Sequence, residues 1–111
     1  MTERGGRAPY RKGYNFERRV LKHFEKQGWY VIRQGKSRFP DLWLLKPNEV
    51  IPIECKVNKY LSKKEKEQVR NLLNIGFEFY VAYRVNRKLK FDKYERDKYG
   101  EIIFKEIEEA G

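Results

Sequence analysis

The chain has 111 residues, enough for a single domain with one core, and its 15% of aromatic residues argue against a disordered protein. No apolar run approaches the roughly 20 residues that cross a bilayer, and no hydrophobic signal region opens the sequence, so we expect a cytoplasmic protein without a membrane partner. A single cysteine excludes an internal disulfide, and a net charge of +10 indicates a polyanionic partner, most simply nucleic acid.

The first predicted elements are a flexible arm, a helix and a strand. Residues 1–12 combine glycines, a proline and four basic residues, which is typical of a mobile basic arm. A helix is predicted to begin at Tyr14 and to end at Gly28, because apolar residues recur between them at helical spacing. These apolar residues are Phe16, Val20, Leu21 and Phe24. Residues 29–34 predict a strand by their aromatic and β-branched content, and residues 35–40 predict a loop.

The middle of the sequence predicts a hairpin of two strands. Residues 41–45 are apolar on both faces, as in a central strand, and residues 46–49 have the composition of a turn. Residues 50–57 predict the strand that follows the turn. The two strands are therefore expected to pair side by side.

A second helix and a C-terminal hairpin complete the predicted order. Ser62 and Glu65 have the spacing of a capping box, which opens a helix that Gly76 closes. Residues 77–85 predict a strong strand, and residues 86–111 predict a hairpin of two short strands. The order α-β-β-β-α-β plus hairpin predicts an α/β (α+β) fold, in which helices pack on a mixed sheet within one domain.

The positive charge is concentrated in the body of the sequence. Residues 1–12 carry +3 and residues 101–111 carry −3, so the whole +10 lies on residues 13–100. A lysine-rich protein from a hot environment would also be highly charged, but it would balance 26 basic residues with more than 16 acidic ones. The charge therefore favours nucleic-acid binding.

Three ionisable residues interrupt the predicted hairpin. Asp41 follows Pro40 at the start of the first strand, and Glu54 and Lys56 share one face of the second because side chains alternate along a strand. Pairing of the strands would bring Asp41 and Glu54 together near one end of the sheet. Two carboxylates at that distance repel unless a cation lies between them, and hard oxygen ligands suit Mg²⁺ or Mn²⁺. Cys55 points to the apolar face and is expected to be inert core.

These residues carry a resemblance to a known family. Pro40-Asp41 followed by Glu54-Cys55-Lys56 resembles the signature of the PD-(D/E)xK nuclease superfamily, and residues 12–37 resemble the opening of archaeal Holliday junction resolvases. The helix opening LSKKEKEQV is similar to the segment that follows the motif strand in this family and in the related VRR-type nucleases. The resemblance covers roughly residues 11–85. The loop before Asp41 is shorter than in many relatives, and no match in the C-terminal hairpin supports the resemblance.

The resemblance implies a restriction-endonuclease-like fold and a Mg²⁺-dependent endodeoxyribonuclease, with Mn²⁺ as a substitute. Such an enzyme hydrolyses phosphodiester bonds in branched DNA. The implied metal ligands are Asp41, Glu54, Glu17 and the backbone carbonyl of Cys55. Lys56 would hold the attacking water or the phosphate as either a neutral or a protonated amine, and Ser37 matches a loop serine of such sites.

The resemblance also implies the partners of the protein. A two-fold symmetric four-way junction nicked on opposing strands needs two sites related by a two-fold axis, so a homodimer is expected. The function would belong to DNA recombination and repair in an archaeon or an archaeal virus, in the cytoplasm, at the nucleoid or in the host cytoplasm. The candidates for DNA-phosphate contacts are Arg7, Arg11, Lys12, Arg18, Arg19, Lys36, Arg38, Lys59, Lys63 and Lys64.

Other interpretations of the same residues remain open. The chain could be a VRR-like nuclease that acts on flaps, nicks or ends, or a DNA-binding module of the same fold without activity. Glu54 and Lys56 alone could form a solvated ion pair worth under about 1 kcal/mol. Glu17 could serve only the helix dipole, and Ser37 could be an ordinary loop residue. Gln68 of the second helix could face the site, although an exposed helix glutamine is the default interpretation.

Overall fold

The computed structural model describes residues 3–35, 38–58 and 60–108, with side chains from residue 13 onward. In chain order its elements are α1 (Glu3–Glu25), β1 (Tyr30–Arg33), β2 (Leu42–Lys46), β3 (Glu49–Cys55), α2 (Lys63–Ile75), β4 (Phe79–Val85), β5 (Lys88–Arg96) and β6 (Ile102–Ile107). The predicted order of helices and strands is confirmed, including the C-terminal hairpin of β5 and β6. None of the helices within these described ranges is long and apolar enough to cross a membrane.

The predicted start of the first helix is wrong. Helix α1 begins at Glu3, so residues 3–12, which were expected to form a flexible arm, have helical backbone. Glycine and proline disfavour a helix interior by about 1 and 3 kcal/mol, which is why this segment predicted an arm. Extending a helix from turns that are already packed adds one hydrogen bond per residue and avoids the nucleation step. Residues 1 and 2 of the predicted arm lie outside the described residues.

The six strands form one sheet in the order β1-β2-β3-β4-β5-β6. All neighbours are antiparallel except β3 and β4, which are parallel because α2 forms the crossover between them. Strands β2 and β3 form the predicted hairpin, with Leu42 opposite Ile53 and Lys46 opposite Glu49. Asn48 occupies the left-handed region at φ 64° in the turn, a conformation that asparagine tolerates better than most residues. This pairing sets the register at the other end of the hairpin.

A helix covers each face of the sheet. Helix α1 packs Phe16, Val20 and Phe24 against Ile51 and Ile53 of β3 in an apolar core. Helix α2 packs on the opposite face, where a second apolar cluster forms; its buried members are Leu61, Val69, Phe79, Val81, Tyr83 and Tyr94. The sheet is therefore buried on both sides near β3 and β4, and any polar group on these strands is withdrawn from water.

The predicted capping box at the start of α2 is confirmed. The Ser62 side chain accepts a hydrogen bond from the Glu65 N–H, and the Glu65 side chain accepts one from the Ser62 N–H. Gly76 ends the helix at φ 118°, where a Cβ would be strained. The capping box fixes the first turn of α2 just after the segment that leaves β3.

Candidate active site

Asp41 and Glu54 meet where the β2–β3 hairpin ends. They lie one residue beyond the pair of Leu42 and Ile53, so the register places them opposite each other. The backbone N–H of Asp41 donates to Glu54 Oε1 at 3.0 Å, and the backbone N–H of Cys55 donates to Asp41 Oδ2 at 2.9 Å. Each carboxylate is thus oriented by the backbone of the opposite segment, and the structure brings together the two carboxylates that the sequence placed there.

Burial and mutual repulsion disfavour the state in which Asp41 and Glu54 are both ionised. Glu54 is only 6% exposed. Its burial, followed by the charge of Asp41, raises the pKa of Glu54 to about 9, and the opposing effect of Lys56 is smaller. Burial also raises the pKa of Asp41, although the hydrogen bond from Cys55 works in the other direction. Without a further cation, the pair favours holding a proton.

Lys56 extends from the end of β3 between two carboxylates. Its Nζ donates to Glu65 Oε2 at 2.8 Å and lies 3.8 Å from Glu54 Oε2. Burial raises the pKa of Glu65, but the hydrogen bonds from Lys56 and Ser62 outweigh it and lower the pKa below its usual range. The sequence identified Glu65 only as part of a capping box, so its contact with Lys56 is a feature of the site that sequence reasoning missed.

Glu17 is paired with Arg33, whereas the family resemblance implied that it is a metal ligand. Its carboxylate on α1 accepts a hydrogen bond from Arg33 Nε, and the Arg33 guanidinium lies 4.8 Å from the centre of the Tyr14 ring. The charge of Glu17 still contributes to the raised pKa of Asp41, so Glu17 lies on the same side of the molecule. Among the residues that the structure describes, no three Asp, Glu, His or Cys side chains form a ready metal-binding group. Asp41 and Glu54 are therefore a pair, with Glu17 held aside by Arg33.

Cys55 has one role for its backbone and another for its side chain. The thiol packs at the edge of the apolar core beneath α1, as its place in the strand predicted, and burial raises its pKa well above the usual value. Its N–H holds Asp41. Ser37 and Lys36, two of the predicted site residues, lie outside the described residues, as does Lys59.

The carboxylate pair opens into a cleft of about 320 Å³ between the loop before β2 and the first turns of α2. Arg38 and Phe39 line one side of it. Lys64 and Gln68 line the other side, so Gln68 faces the cleft instead of standing free on the helix surface. Two of the predicted DNA-contacting residues, Arg38 and Lys64, are exposed at this cleft. Its floor is acidic and its rim is basic.

A second basic surface runs along α1. It is a groove of about 520 Å³ between the helix and the start of β5, and its basic lining residues are Arg18, Arg19, Lys22, His23 and Lys26. Arg18 and Arg19 were predicted to contact DNA, whereas Lys22 and Lys26 were not. Their spacing of three to four residues puts them on the same helix face, which is the signal that could have identified them. We call this surface the α1 groove.

Comparisons with known proteins converge on one family. The family model described as archaeal Holliday junction resolvase (Hjc) matches residues 8–110, so the family extends through the C-terminal hairpin, beyond the range over which the sequence resemblance was expected. The crossover junction endodeoxyribonuclease Hjc of Methanocaldococcus jannaschii is 34% identical over an alignment 90 residues long, which covers 77% of this chain and 68% of that protein. The solved structure of Archaeoglobus fulgidus Hjc, a Holliday junction resolvase, matches with a TM-score of 0.63 and 30% identity, covering 86% of this chain and 84% of that one.

Proposed function

Since the chain belongs to the archaeal Holliday junction resolvase family, we propose that it is a Mg²⁺-dependent endodeoxyribonuclease that hydrolyses phosphodiester bonds in four-way DNA junctions. The observation that carries the proposal is the buried pair of Asp41 and Glu54 beside the Lys56 ammonium, at the floor of a cleft with a basic rim. A binding module has no need of two carboxylates whose pKa values are both raised by burial, with the charge of Asp41 raising that of Glu54 further.

The donor chemistry of the pair fits a divalent cation. Asp41 and Glu54 offer hard carboxylate oxygens, which Mg²⁺ and Mn²⁺ prefer, and a cation between them would relieve their repulsion. When bound, the ion supplies an activated water and charge compensation at the phosphate. The backbone carbonyl of Cys55 and the carboxylate of Glu17 are proposed as further ligands, and Glu17 would have to leave Arg33 to join them.

The side chains of the protein orient the reactants. The backbone N–H groups of Cys55 and Asp41 keep the two carboxylates aimed at the cleft, so the site is preorganised before DNA arrives. Lys56 places a positive charge next to Glu54, where it can hold the scissile phosphate or the water that attacks it. Ser37 is proposed as a further site residue of the loop before Asp41.

Two surfaces are proposed to hold the DNA backbone. Arg38 and Lys64 would contact phosphates next to the scissile bond. The α1 groove would hold a more distant stretch of duplex through Arg18, Arg19, Lys22 and Lys26. The other predicted contacts, whose part in binding stays a proposal, are Arg7, Arg11, Lys12, Lys36, Lys59 and Lys63. Affinity should fall with salt at a log–log slope of roughly −0.9 per phosphate contacted.

The proposed assembly is a homodimer. One cleft can cut one strand, whereas a four-way junction has two equivalent strands related by a two-fold axis. Two copies related by the same axis would cut both. We place this activity in the cytoplasm, at the nucleoid, as a step of DNA recombination and repair.

The substitution Asp41→Asn tests the proposed function. The asparagine side chain keeps an oxygen that can accept from the Cys55 N–H but loses the charge, so the variant should fold, bind a labelled four-way junction in EDTA, and lose Mg²⁺-dependent cleavage. Asp97→Asn is the matched control, because Asp97 accepts backbone hydrogen bonds in the β5–β6 turn away from the cleft. Cleavage by the Asp41 variant at the rate of the parent would contradict the assignment of the site.

The same assay separates the proposal from its two alternatives. Flap, nicked and linear duplexes of equal length are tested beside the junction, with Mg²⁺ and with Mn²⁺. The resolvase proposal predicts that the junction is cut fastest and symmetrically. Preference for flaps, nicks or ends would indicate the related VRR-like activity, and binding without cleavage at any enzyme excess would indicate a non-catalytic module.

A further inference from the structure

Glu65 is held from two sides at the start of α2. Its Oε1 accepts from the Ser62 N–H at 2.8 Å, while the Glu65 N–H donates to Ser62 Oγ at 3.1 Å. The second oxygen, Oε2, accepts from Lys56 Nζ at 2.8 Å. The Glu65 carboxylate therefore joins the N-terminal cap of α2 to Lys56, the residue that follows β3. A capping box alone would use only the two contacts with Ser62.

The two carboxylates near Lys56 do not hold it equally. The 2.8 Å distance to Glu65 is that of a charge-assisted hydrogen bond, whereas the 3.8 Å distance to Glu54 is too long for one. The backbone of Lys56 is already fixed, because its N–H donates to the Ala82 carbonyl at 2.9 Å. Its remaining freedom lies in the four-carbon side chain, and Glu65 is the group that restricts it.

We propose that Glu65 is a positioning residue for the cleavage reaction, which holds the Lys56 ammonium close to Glu54 of the cleft through the capping box of α2. This inference rests on the proposed nuclease function. The capping box supplies the rigidity, since Glu65 Oε1 is tied to the backbone of Ser62 while Oε2 faces Lys56. Without this hold, the ammonium has Glu54 as its nearest carboxylate, now 3.8 Å away, and would pair with it directly, so that neither group keeps its proposed role.

Substitution of Glu65 by Gln separates the two roles of the residue. Glutamine is also found at this position of capping boxes, so the oxygen that accepts from Ser62 is retained and the helix start should stay intact. The other end becomes an amide that cannot pair with an ammonium. We expect single-turnover cleavage of a four-way junction at saturating enzyme to slow by about 10- to 100-fold, as for a reacting group displaced by about 1 Å. Junction affinity in EDTA and the melting temperature should match those of the parent.

Glu67→Gln is the matched control for this experiment. Glu67 lies on the same helix, is exposed, and approaches Arg70 at 3.9 Å, so the substitution removes the same charge without touching Lys56. The control should cleave at the parental rate. The inference is overturned if the Glu65 variant cleaves as fast as the control. It is equally overturned if affinity and melting temperature fall with the rate, because a purely structural role would then explain the loss.

A failure of the nuclease function can be distinguished from a failure of this inference. If the parent cuts no DNA substrate, the proposed function is wrong, whatever Glu65 does. The contact between Glu65 and Lys56 can then be tested by a double-mutant cycle. It compares the melting temperatures of the parent, Glu65→Gln, Lys56→Gln and the double variant. Non-additive shifts support the hold on Lys56, and strictly additive shifts overturn it.

Discussion

The two faces of strand β3 bury different kinds of side chain. On the face toward α1, Ile51 and Ile53 are almost completely buried among apolar neighbours. On the face toward α2, Glu54 is nearly as buried, but it lies against a second carboxylate, that of Asp41. Burying an isoleucine stabilises the fold by about 1.5–3 kcal/mol, whereas burying a carboxylate beside another destabilises it. The apolar face of β3 therefore stabilises the fold. The carboxylate face destabilises the fold but holds the residues of the candidate site.

The largest effect that tests this contrast is expected from Glu54→Gln. Glutamine can still accept from the Asp41 N–H, but it removes one of the two charges that would bind a metal. Cleavage should fall by about 1,000-fold or more, as for the loss of several kcal/mol of transition-state stabilisation. The free energy of unfolding in EDTA at pH 8 should meanwhile rise by about 1–2 kcal/mol. Chemical denaturation and junction cleavage measure the two effects. A Glu54→Gln variant less stable than the parent would contradict the view that the buried carboxylate destabilises the fold.

Ile53→Ala on the neighbouring residue should act in the opposite direction. Ile53 is fully buried in the core beneath α1, so truncation leaves a cavity. We expect the free energy of unfolding to fall by about 2–5 kcal/mol, measured by the same denaturation assay. Ile53→Val is the milder companion, with a loss of about 0.5–1.5 kcal/mol. If Ile53→Ala and Glu54→Gln shift stability in the same direction, the two faces of β3 do not differ as described.

The contrast between the faces could be predicted from the sequence, because it is local. Alternation along a strand assigns Glu54 and Lys56 to one face and Cys55 to the other, and a short turn fixes the register that brings Asp41 opposite Glu54. Both rules operate within a single hairpin. The family resemblance carried by the same residues was confirmed by the comparisons.

Contacts between separate elements could not be predicted in this way. The bond between Lys56 and Glu65 depends on how the start of α2 lies against the end of β3, and the capping-box pattern accounts for Glu65 without it. The pairing of Glu17 with Arg33 depends on the packing of α1 beside β1. The partner of a long side chain on one element depends on how the neighbouring element packs against it, which the local sequence does not specify. The sequence thus predicted the contacts within the β2–β3 hairpin, but it did not predict the contacts that the two helices make with the strands.

A divalent cation should stabilise the parent through the face that carries the carboxylates. Mg²⁺ or Mn²⁺ at about 10 to 100 times its dissociation constant should raise the free energy of unfolding by about 1–3 kcal/mol, because the ion is proposed to bind the folded site and would relieve its repulsion. The Asp41→Asn variant should lose most of this gain, and Ile53→Ala should keep it. Thermal denaturation with and without metal measures the shift. An equal gain in the parent and the Asp41 variant would place the ion elsewhere.

The smallest expected effect is the dependence of stability on pH without metal. The pKa of Glu54 is about 9 in the folded protein, against an ordinary value of 4.5. Between these values the folded state holds a proton that the unfolded state has released, so the free energy of unfolding falls as pH rises through this window. The raised pKa of Asp41 acts in the same direction from its lower starting value.

Glu54→Gln isolates this contribution, because its side chain does not titrate. Denaturation curves from about pH 5 to pH 9 in EDTA should show the variant gaining on the parent as the pH rises, by at most about 1.4 kcal/mol for each pH unit. Glu67→Gln removes an exposed carboxylate of α2 and should follow the parent at every pH. Parallel curves for the parent and Glu54→Gln would mean that Glu54 stays ionised in the folded protein. The carboxylate face of β3 would then be as compatible with the fold as the apolar one.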